Sequence, residues 1–192
     1  MGRKFASLHV FGTDKVTVMN CLAACLNESA KELPDTDLME VFADKDEIAS
    51  FVKALKGAAS QSTVDFYITA NCDWVSIFSE HFSFETVTDC AFQYFGGLSN
   101  PVITVGYFDD DLLKIDCVSE GAVVTGLVKG PRLKAYGLKA ADMDLALFSI
   151  LFRADATKAA EVFAKKDIDA ICDALGDMLN IPLQLERVSF IV

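Results

Sequence analysis

Two short groups of polar residues in this chain have side chains that could perform chemistry. They are Glu80-His81 and the three successive aspartates Asp109, Asp110 and Asp111. Carboxylate oxygens and an imidazole nitrogen suit Mg²⁺, Mn²⁺ or Zn²⁺, and a bound metal can activate water. If the two groups meet, all five residues form a candidate ligand-binding site, and Glu80, His81, Asp109 and Asp111 are candidate metal ligands of a hydrolase. The alternative, which we favour, is that the aspartates form a polar hairpin turn and His81 lies in a loop, because turns select Asp.

The elements around these residues determine whether they meet. Residues 74–78 alternate like a strand, residues 83–98 have the period of an amphipathic helix, and residues 101–108 are apolar and β-branched. This order predicts a β-α-β crossover with two parallel strands that end at the same edge of one sheet. Because the polar groups follow the ends of these strands, we expect them to lie near one another.

The remaining pattern predicts further strands and helices. Strands are expected at 5–11, 64–69, 112–118, 122–128 and 183–192, with a Glu120-Gly121 turn between the third and fourth of these. Helices are expected after Asp14, over 48–55, and at 143–151, 159–163 and 168–179, while residues 38–42 fit a strand or a helical turn equally well. Strands 102–108 and 122–128 are apolar on both faces, so both are expected to be covered on both sides. The predicted fold class is α+β, with a mixed, mainly antiparallel sheet that contains one β-α-β crossover, helices packed on the sheet and a helical C-terminal region.

The chain is expected to form one compact domain. The small-residue stretch 58–63 is the best candidate boundary, and it separates an N-terminal βα segment, 1–57, from a main body, 64–192. At 192 residues with 52% hydrophobic residues, the chain is long and apolar enough to bury a full core.

The composition indicates the cellular compartment of the protein and the classes of partner it can bind. No uninterrupted apolar run is long enough to span a membrane, and the six cysteines show no C-x-x-C pair and lie among apolar residues, so we expect free thiols in a cytoplasmic protein. The net charge is −11, and residues 28–47 carry eight acids against Lys31 and Lys45, a balance of −6. This charge disfavours nucleic acid and anionic membranes. The acidic segment 28–47 is favoured as a solvated face, but it also fits a protein partner surface or an acidic decoy or inhibitor, and a homo-oligomer stays open.

The common catalytic motifs are absent from the sequence. The chain has no P-loop, no dinucleotide-binding glycine motif, no nucleophile elbow and no H-E-x-x-H. A helix-turn-helix around Lys165-Lys166 is disfavoured because residues 167–179 carry four aspartates and no base. The leading interpretation is therefore a non-enzymatic interaction or small-ligand-binding module without a cofactor. The divalent-metal hydrolase and the acidic decoy are the alternatives.

The blocks 73–87 and 101–111, which include Trp74 to Phe78, Glu80-His81-Phe82 and the three aspartates, resemble a group of uncharacterised bacterial proteins. This resemblance implies a bacterial, cytosolic protein. It implies no particular activity.

Overall fold

A computed structural model of the chain describes residues 2–30 and 65–185. Its centre is a six-stranded sheet in the order β2-β3-β1-β4-β5-β6, in which each neighbouring pair is antiparallel. The strands are β1 (Lys4–Phe11), β2 (Phe66–Asn71), β3 (Trp74–Ser79), β4 (Val102–Phe108), β5 (Leu112–Ser119) and β6 (Ala122–Lys129). The predicted α+β class and the predicted hairpins are confirmed.

The predicted crossover is confirmed, but its two strands are not neighbours. β3 and β4 both pair antiparallel with β1, so they run in the same direction within one sheet, with a helix between them in the chain. β1 lies between them and begins where they end. The two strand axes are therefore separated by about 10 Å, two inter-strand steps. The N-terminal residues of the chain occupy this interval.

Five α-helices and one 3₁₀ helix are described. They are α1 (Lys15–Ala30), α2 (Val87–Phe95), the 3₁₀ helix Leu133–Tyr136, α3 (Leu145–Phe152), α4 (Ala156–Phe163) and α5 (Ile168–Leu179). Aspartate side chains accept backbone N–H groups at the N-termini of α1, α3, α4 and α5, where helices have unpaired donors; these caps are Asp14, Asp144, Asp155 and Asp167.

Helix α2 is shorter than the predicted span 83–98. Ser83 and Thr86 exchange reciprocal hydrogen bonds: Ser83 Oγ accepts from the Thr86 amide at 3.2 Å, and Thr86 Oγ1 accepts from the Ser83 amide at 3.3 Å. This arrangement satisfies the first donors in the manner of a capping box, and the regular helix begins only at Val87.

Helices cover both faces of the sheet. One apolar core joins α1 and α2 to one face, through residues such as Leu8, Leu22 and Ala91. The other core joins α3, α4 and α5 to the opposite face, and includes Phe148 and Leu175. The strands near the middle of the sheet are consequently buried on both sides.

The expectation of two-sided cover holds for β4 and is wrong for β6. In β4, residues 102–107 are all buried, whereas in β6 only Leu127 is buried. β6 is an edge strand, so its apolar Val123 and Val124 remain 44% and 40% exposed. The apolar side chains on both faces of β6 therefore reflect strand propensity more than burial.

Three buried polar side chains connect the sheet to the C-terminal segment. Ser7 Oγ donates to the carbonyl oxygen of Leu183 at 2.8 Å, so its own oxygen must accept from His9 Nε2, 2.9 Å away. His9 Nδ1 then accepts from Ser76 Oγ at 2.8 Å. Burial lowers the pKa of His9 to about 3, which keeps the ring neutral within this chain of bonds.

Several predictions concern residues that lie outside the described ranges. These are the helix at 48–55, the element at 38–42, the boundary at 58–63 and all of the acidic segment beyond residue 30. Of the strand predicted at 183–192, residues 183–185 are described and are not a strand. Among the described helices, none combines the length and the apolar character needed to cross a membrane.

Candidate ligand-binding cleft

The three successive aspartates form the hairpin turn between β4 and β5. Asp109 and Asp110 have φ of 59° and 57°, in the left-handed region that Asp tolerates better than most residues. The Asp111 amide closes the turn by donating to the carbonyl oxygen of Phe108 at 3.0 Å. The turn interpretation of these residues is therefore correct, and the turn directs each carboxylate to a different partner.

Asp109 and Asp111 bind groups of the N-terminal segment and of the 3₁₀ helix region. Asp109 Oδ1 accepts from the Gly2 amide at 3.1 Å. The Asp111 carboxylate lies 3.5 Å from Arg132 Nε and accepts a long hydrogen bond of 3.4 Å from the Tyr136 hydroxyl. These contacts anchor the N-terminus and the 3₁₀ helix to the turn.

Glu80 and His81 follow the end of β3, on the far side of β1, and both are exposed. Within residues 2–30 and 65–185, no group of three or more His, Cys, Asp or Glu side chains is arranged to hold a metal ion. The metal site composed of Glu80, His81, Asp109 and Asp111 stays a prediction for experiment.

Asp110 belongs to a cluster that the sequence did not indicate. The Tyr107 hydroxyl donates to Asp169 Oδ1 and lies 3.2 Å from Asp110 Oδ1. The Arg3 guanidinium contacts Asp169, lies 3.7 Å from Asp110 and 5.3 Å from the centre of the Tyr107 ring. We call Arg3, Tyr107, Asp110 and Asp169 the Tyr107 cluster.

The charges of the Tyr107 cluster do not balance. Burial raises the pKa of the Tyr107 phenol, and the hydrogen bond to Asp169 raises it further, so the phenol is neutral. Its single proton can be donated to one carboxylate at a time. Two carboxylates and one guanidinium leave the cluster itself with a net charge of −1.

The Tyr107 cluster borders a cleft of 570 Å³ between the end of β6, the 3₁₀ helix and the junction of α4 and α5. Its charged and apolar lining residues are Asp110, Lys129, Pro131, Leu133, Ala140, Ala164, Lys165, Lys166, Asp167, Ile168 and Asp169, beside Tyr107. We call this space the Tyr107 cleft.

Lys129 is held in the wall of the Tyr107 cleft by the C-terminal end of α4. Its ammonium group donates to the carbonyl oxygen of Phe163 and, at 3.3 Å, to that of Lys165. Carbonyl groups at a helix C-terminus have no partner within the helix and attract cations. The cleft therefore has a fixed positive group at the end of α4, and the negative Tyr107 cluster is formed by residues of the N-terminal segment, β4 with its turn, and α5.

A second cleft, of 910 Å³, lies on the other side of Arg3. Phe5 lines it and stacks on the Tyr107 ring, with the ring centres 5.0 Å apart, so these two aromatic residues form part of the wall between the clefts. Its lining includes Leu185, where the described part of the chain ends. We therefore assign no ligand to this second cleft.

Sequence reasoning found Asp110 but missed the rest of the site. Arg3, Tyr107, Lys129 and Asp169 come from the N-terminus, two different strands and a helix, so no local spacing connects them. The available signal was weak: a tyrosine near the end of a strand, directly before three aspartates.

Comparison of the chain with protein-family models, with curated proteins and with solved structures finds no match.

Proposed function

We propose that this protein is a non-enzymatic module that binds a small ligand in the Tyr107 cleft. The observation that carries this proposal is the cleft of 570 Å³ placed directly against an incompletely neutralised, part-buried polar cluster. Small-molecule sites have volumes of about 300 to 1,000 Å³ and combine apolar walls with a few convergent polar groups. The Tyr107 cleft has both properties.

The protonation state of Tyr107 supports binding more than catalysis. A phenol with a raised pKa is a poor general base near neutral pH, since it holds its proton, but it is a stable hydrogen-bond donor. Asp110 and Asp169 are likewise engaged by Arg3. These groups are arranged to fix a polar ligand in one orientation.

We also propose a bacterial cytoplasmic setting. No disulfide joins any of Cys21, Cys25, Cys72, Cys90, Cys117 and Cys172, all of which lie in the described part of the chain, and cysteines without disulfides are usual in a reducing compartment. Burial raises the pKa of Cys117 and Cys172, which makes these two thiols unreactive.

The proposal can be tested by filling the cleft. Ala164 is exposed and lines the Tyr107 cleft, so Ala164→Trp should obstruct it; Ala156→Trp, on an exposed position of the same helix region outside the lining, is the matched control. Ligand-observed NMR with a fragment library of cations, anions, zwitterions and neutral compounds should show fragments that bind the wild type and the control but not Ala164→Trp. A library without any such fragment would refute the proposed function.

A further inference from the structure

We propose that the Tyr107 cleft binds a small zwitterion, a molecule with one ammonium and one carboxylate group, of which a free amino acid with an aliphatic side chain is the simplest example. This inference rests on the proposed function and adds the chemical class of the ligand. The arrangement of opposite charges along the cleft carries it.

The ammonium end is assigned to the Tyr107 cluster. The cluster has a net charge of −1, and the one phenolic proton of Tyr107 cannot satisfy both Asp110 and Asp169. The Asp110 side chain is 52% exposed and can accept further donors. A ligand ammonium, which has three N–H donors, would neutralise the cluster and bond to both carboxylates.

The carboxylate end is assigned to the lysines on the α4 side. Lys129 uses two of its three N–H bonds on the carbonyl oxygens of Phe163 and Lys165, so its position is fixed and one donor is left for a ligand. Lys165 and Lys166 follow α4 directly, line the same cleft and are exposed. The lysines at this end of α4 favour an anionic group there.

Charges of both signs lie along the cleft, so they favour a ligand that carries groups of both signs. The carboxylates are Asp110, Asp167 and Asp169, of which Asp167 is already engaged in capping α5, where it accepts the Asp169 and Ala170 amides at 2.8 and 3.2 Å; the cationic lining residues are the three lysines. An ion of either sign would meet attraction at one wall and repulsion at the other. A zwitterion is attracted at both.

The apolar lining residues indicate what the rest of the ligand, apart from its two charged groups, is made of. Pro131, Leu133 and Ile168 face the cleft together with the small side chains Ala140 and Ala164. Apolar ligand atoms placed against them leave water, which contributes about 25 cal/mol per Å². The side chain of the zwitterion is therefore expected to be aliphatic.

The test compares L-leucine with two analogues that each lack one charge. N-acetyl-L-leucine has no ammonium group and L-leucinamide has no carboxylate. Titration calorimetry on the full chain should show saturable binding of L-leucine and at least about tenfold weaker binding of both analogues. Equal affinity for all three compounds, or no binding of L-leucine, would overturn the inference.

Two variants test each end separately. Asp110→Asn, whose amide oxygen can still accept the Arg3 amide, should reduce the preference for L-leucine over N-acetyl-L-leucine, with Asp169 still present, and retain the preference over L-leucinamide. The double variant Lys165→Gln/Lys166→Gln, which leaves Lys129 in place, should reduce the preference over L-leucinamide and retain the preference over N-acetyl-L-leucine. Glu161→Gln and Lys158→Gln, at exposed positions of α4 outside the lining, are the matched charge controls and should bind like the wild type. A loss of affinity without this crossed pattern would also contradict the assignment.

The fragment experiment distinguishes a failure of the zwitterion assignment from a failure of the proposed function. If L-leucine fails but other fragments still bind in a manner sensitive to Ala164→Trp, the cleft is a ligand site and only the zwitterion class is wrong. If no compound distinguishes Ala164→Trp from Ala156→Trp, the proposed function and the inference fail together.

Discussion

The Ser7 hydroxyl donates a hydrogen bond of 2.8 Å to the carbonyl oxygen of Leu183, although the two residues are 176 positions apart in the chain. Ser7 lies in β1, in the middle of the sheet, and Leu183 lies just beyond α5. The bond therefore ties the end of the helical region to the central strand. Because both groups are buried, losing either one leaves an unpaired polar atom in the core.

The buried histidine should make the protein sensitive to acid. The pKa of His9 is about 3 in the folded protein, against about 6.5 in the unfolded chain. Below pH 6.5 the unfolded chain takes up a proton at His9 that the folded protein does not. The contribution of His9 to the free energy of unfolding is therefore complete above pH 6.5. It falls by up to about 1.4 kcal/mol per pH unit until pH 3.

Urea unfolding at pH 6.5 and pH 4.5 measures this effect. The wild type should lose about 2 to 3 kcal/mol more between the two pH values than His9→Gln, which can still donate and accept within the network but does not titrate. Titration of the carboxylates changes the free energy of unfolding of both proteins equally, so it cancels in the comparison. Identical losses in the two proteins would show that His9 is protonated in the fold or is not buried.

The hydrogen bond to Leu183 should contribute measurably to stability. Ser7→Ala removes the donor to the carbonyl oxygen and the acceptor of His9 Nε2, and should destabilise the protein by about 1 to 3 kcal/mol in urea unfolding. Ser149→Ala is the matched control. In the described part of the chain, Ser149 Oγ is buried without a hydrogen-bond partner, so its removal should be neutral or slightly stabilising. Equal effects of the two substitutions would contradict the network.

The features that sequence reasoning predicted correctly are those with local causes. The turn at Glu120-Gly121 depends on two adjacent residues, with φ of 52° and 74°, and the end of α5 depends on Asn180, with φ of 55°. The direction of β3 and β4 also follows from a short segment, because the length of the connection with α2 is sufficient for a crossover.

The features that could not be predicted depend on distant segments. The placement of β1 between β3 and β4 is decided by pairing over long separations, and no pattern within 74–111 reports it. It is this placement that brings Arg3 to Asp110. For the same reason the sequence indicates Asp169 only as one of the four aspartates of 167–179 and not as a partner of Tyr107.

The hydrolase hypothesis can be tested directly with metal ions. Since Asp109 already accepts the Gly2 amide and Asp111 is paired with Arg132, we expect no change in melting temperature when Mg²⁺, Mn²⁺ or Zn²⁺ is added to chelator-treated protein. A metal present at 100 times its dissociation constant would contribute about 2.7 kcal/mol, which is several degrees. A shift of this size in the wild type that is lost in Asp109→Asn/Asp111→Asn would restore the hypothesis.

Gly130, at the rim of the Tyr107 cleft, should not tolerate a side chain. Its φ is 155°, and a Cβ atom there would overlap the carbonyl oxygen of Asp111. Gly130→Ala must displace the backbone at residue 130 or the backbone at Asp111, and it should destabilise the protein by more than about 3 kcal/mol. Gly137 has φ of 68° with no atom within 4 Å of its Cβ position, so Gly137→Ala should cost only about 1 kcal/mol. Denaturant unfolding of both variants checks the difference, and similar values would contradict the described backbone contact.

The bond between Tyr107 and Asp169 should show a measurable coupling energy. Tyr107→Phe keeps the ring that stacks on Phe5 and removes only the hydroxyl that donates to Asp169. Because Asp169 is 46% exposed, solvent weakens the interaction, and a double-mutant cycle with Asp169→Asn should give a coupling of about 1 kcal/mol in unfolding free energy. The exposed Tyr136, whose hydroxyl lies 3.4 Å from Asp111, provides the matched cycle with Tyr136→Phe and Asp111→Asn, and should couple by less than about 0.5 kcal/mol. A coupling near zero for the first cycle would mean that the phenol does not hold Asp169 in solution, and the negative wall of the Tyr107 cleft would lose its fixed geometry.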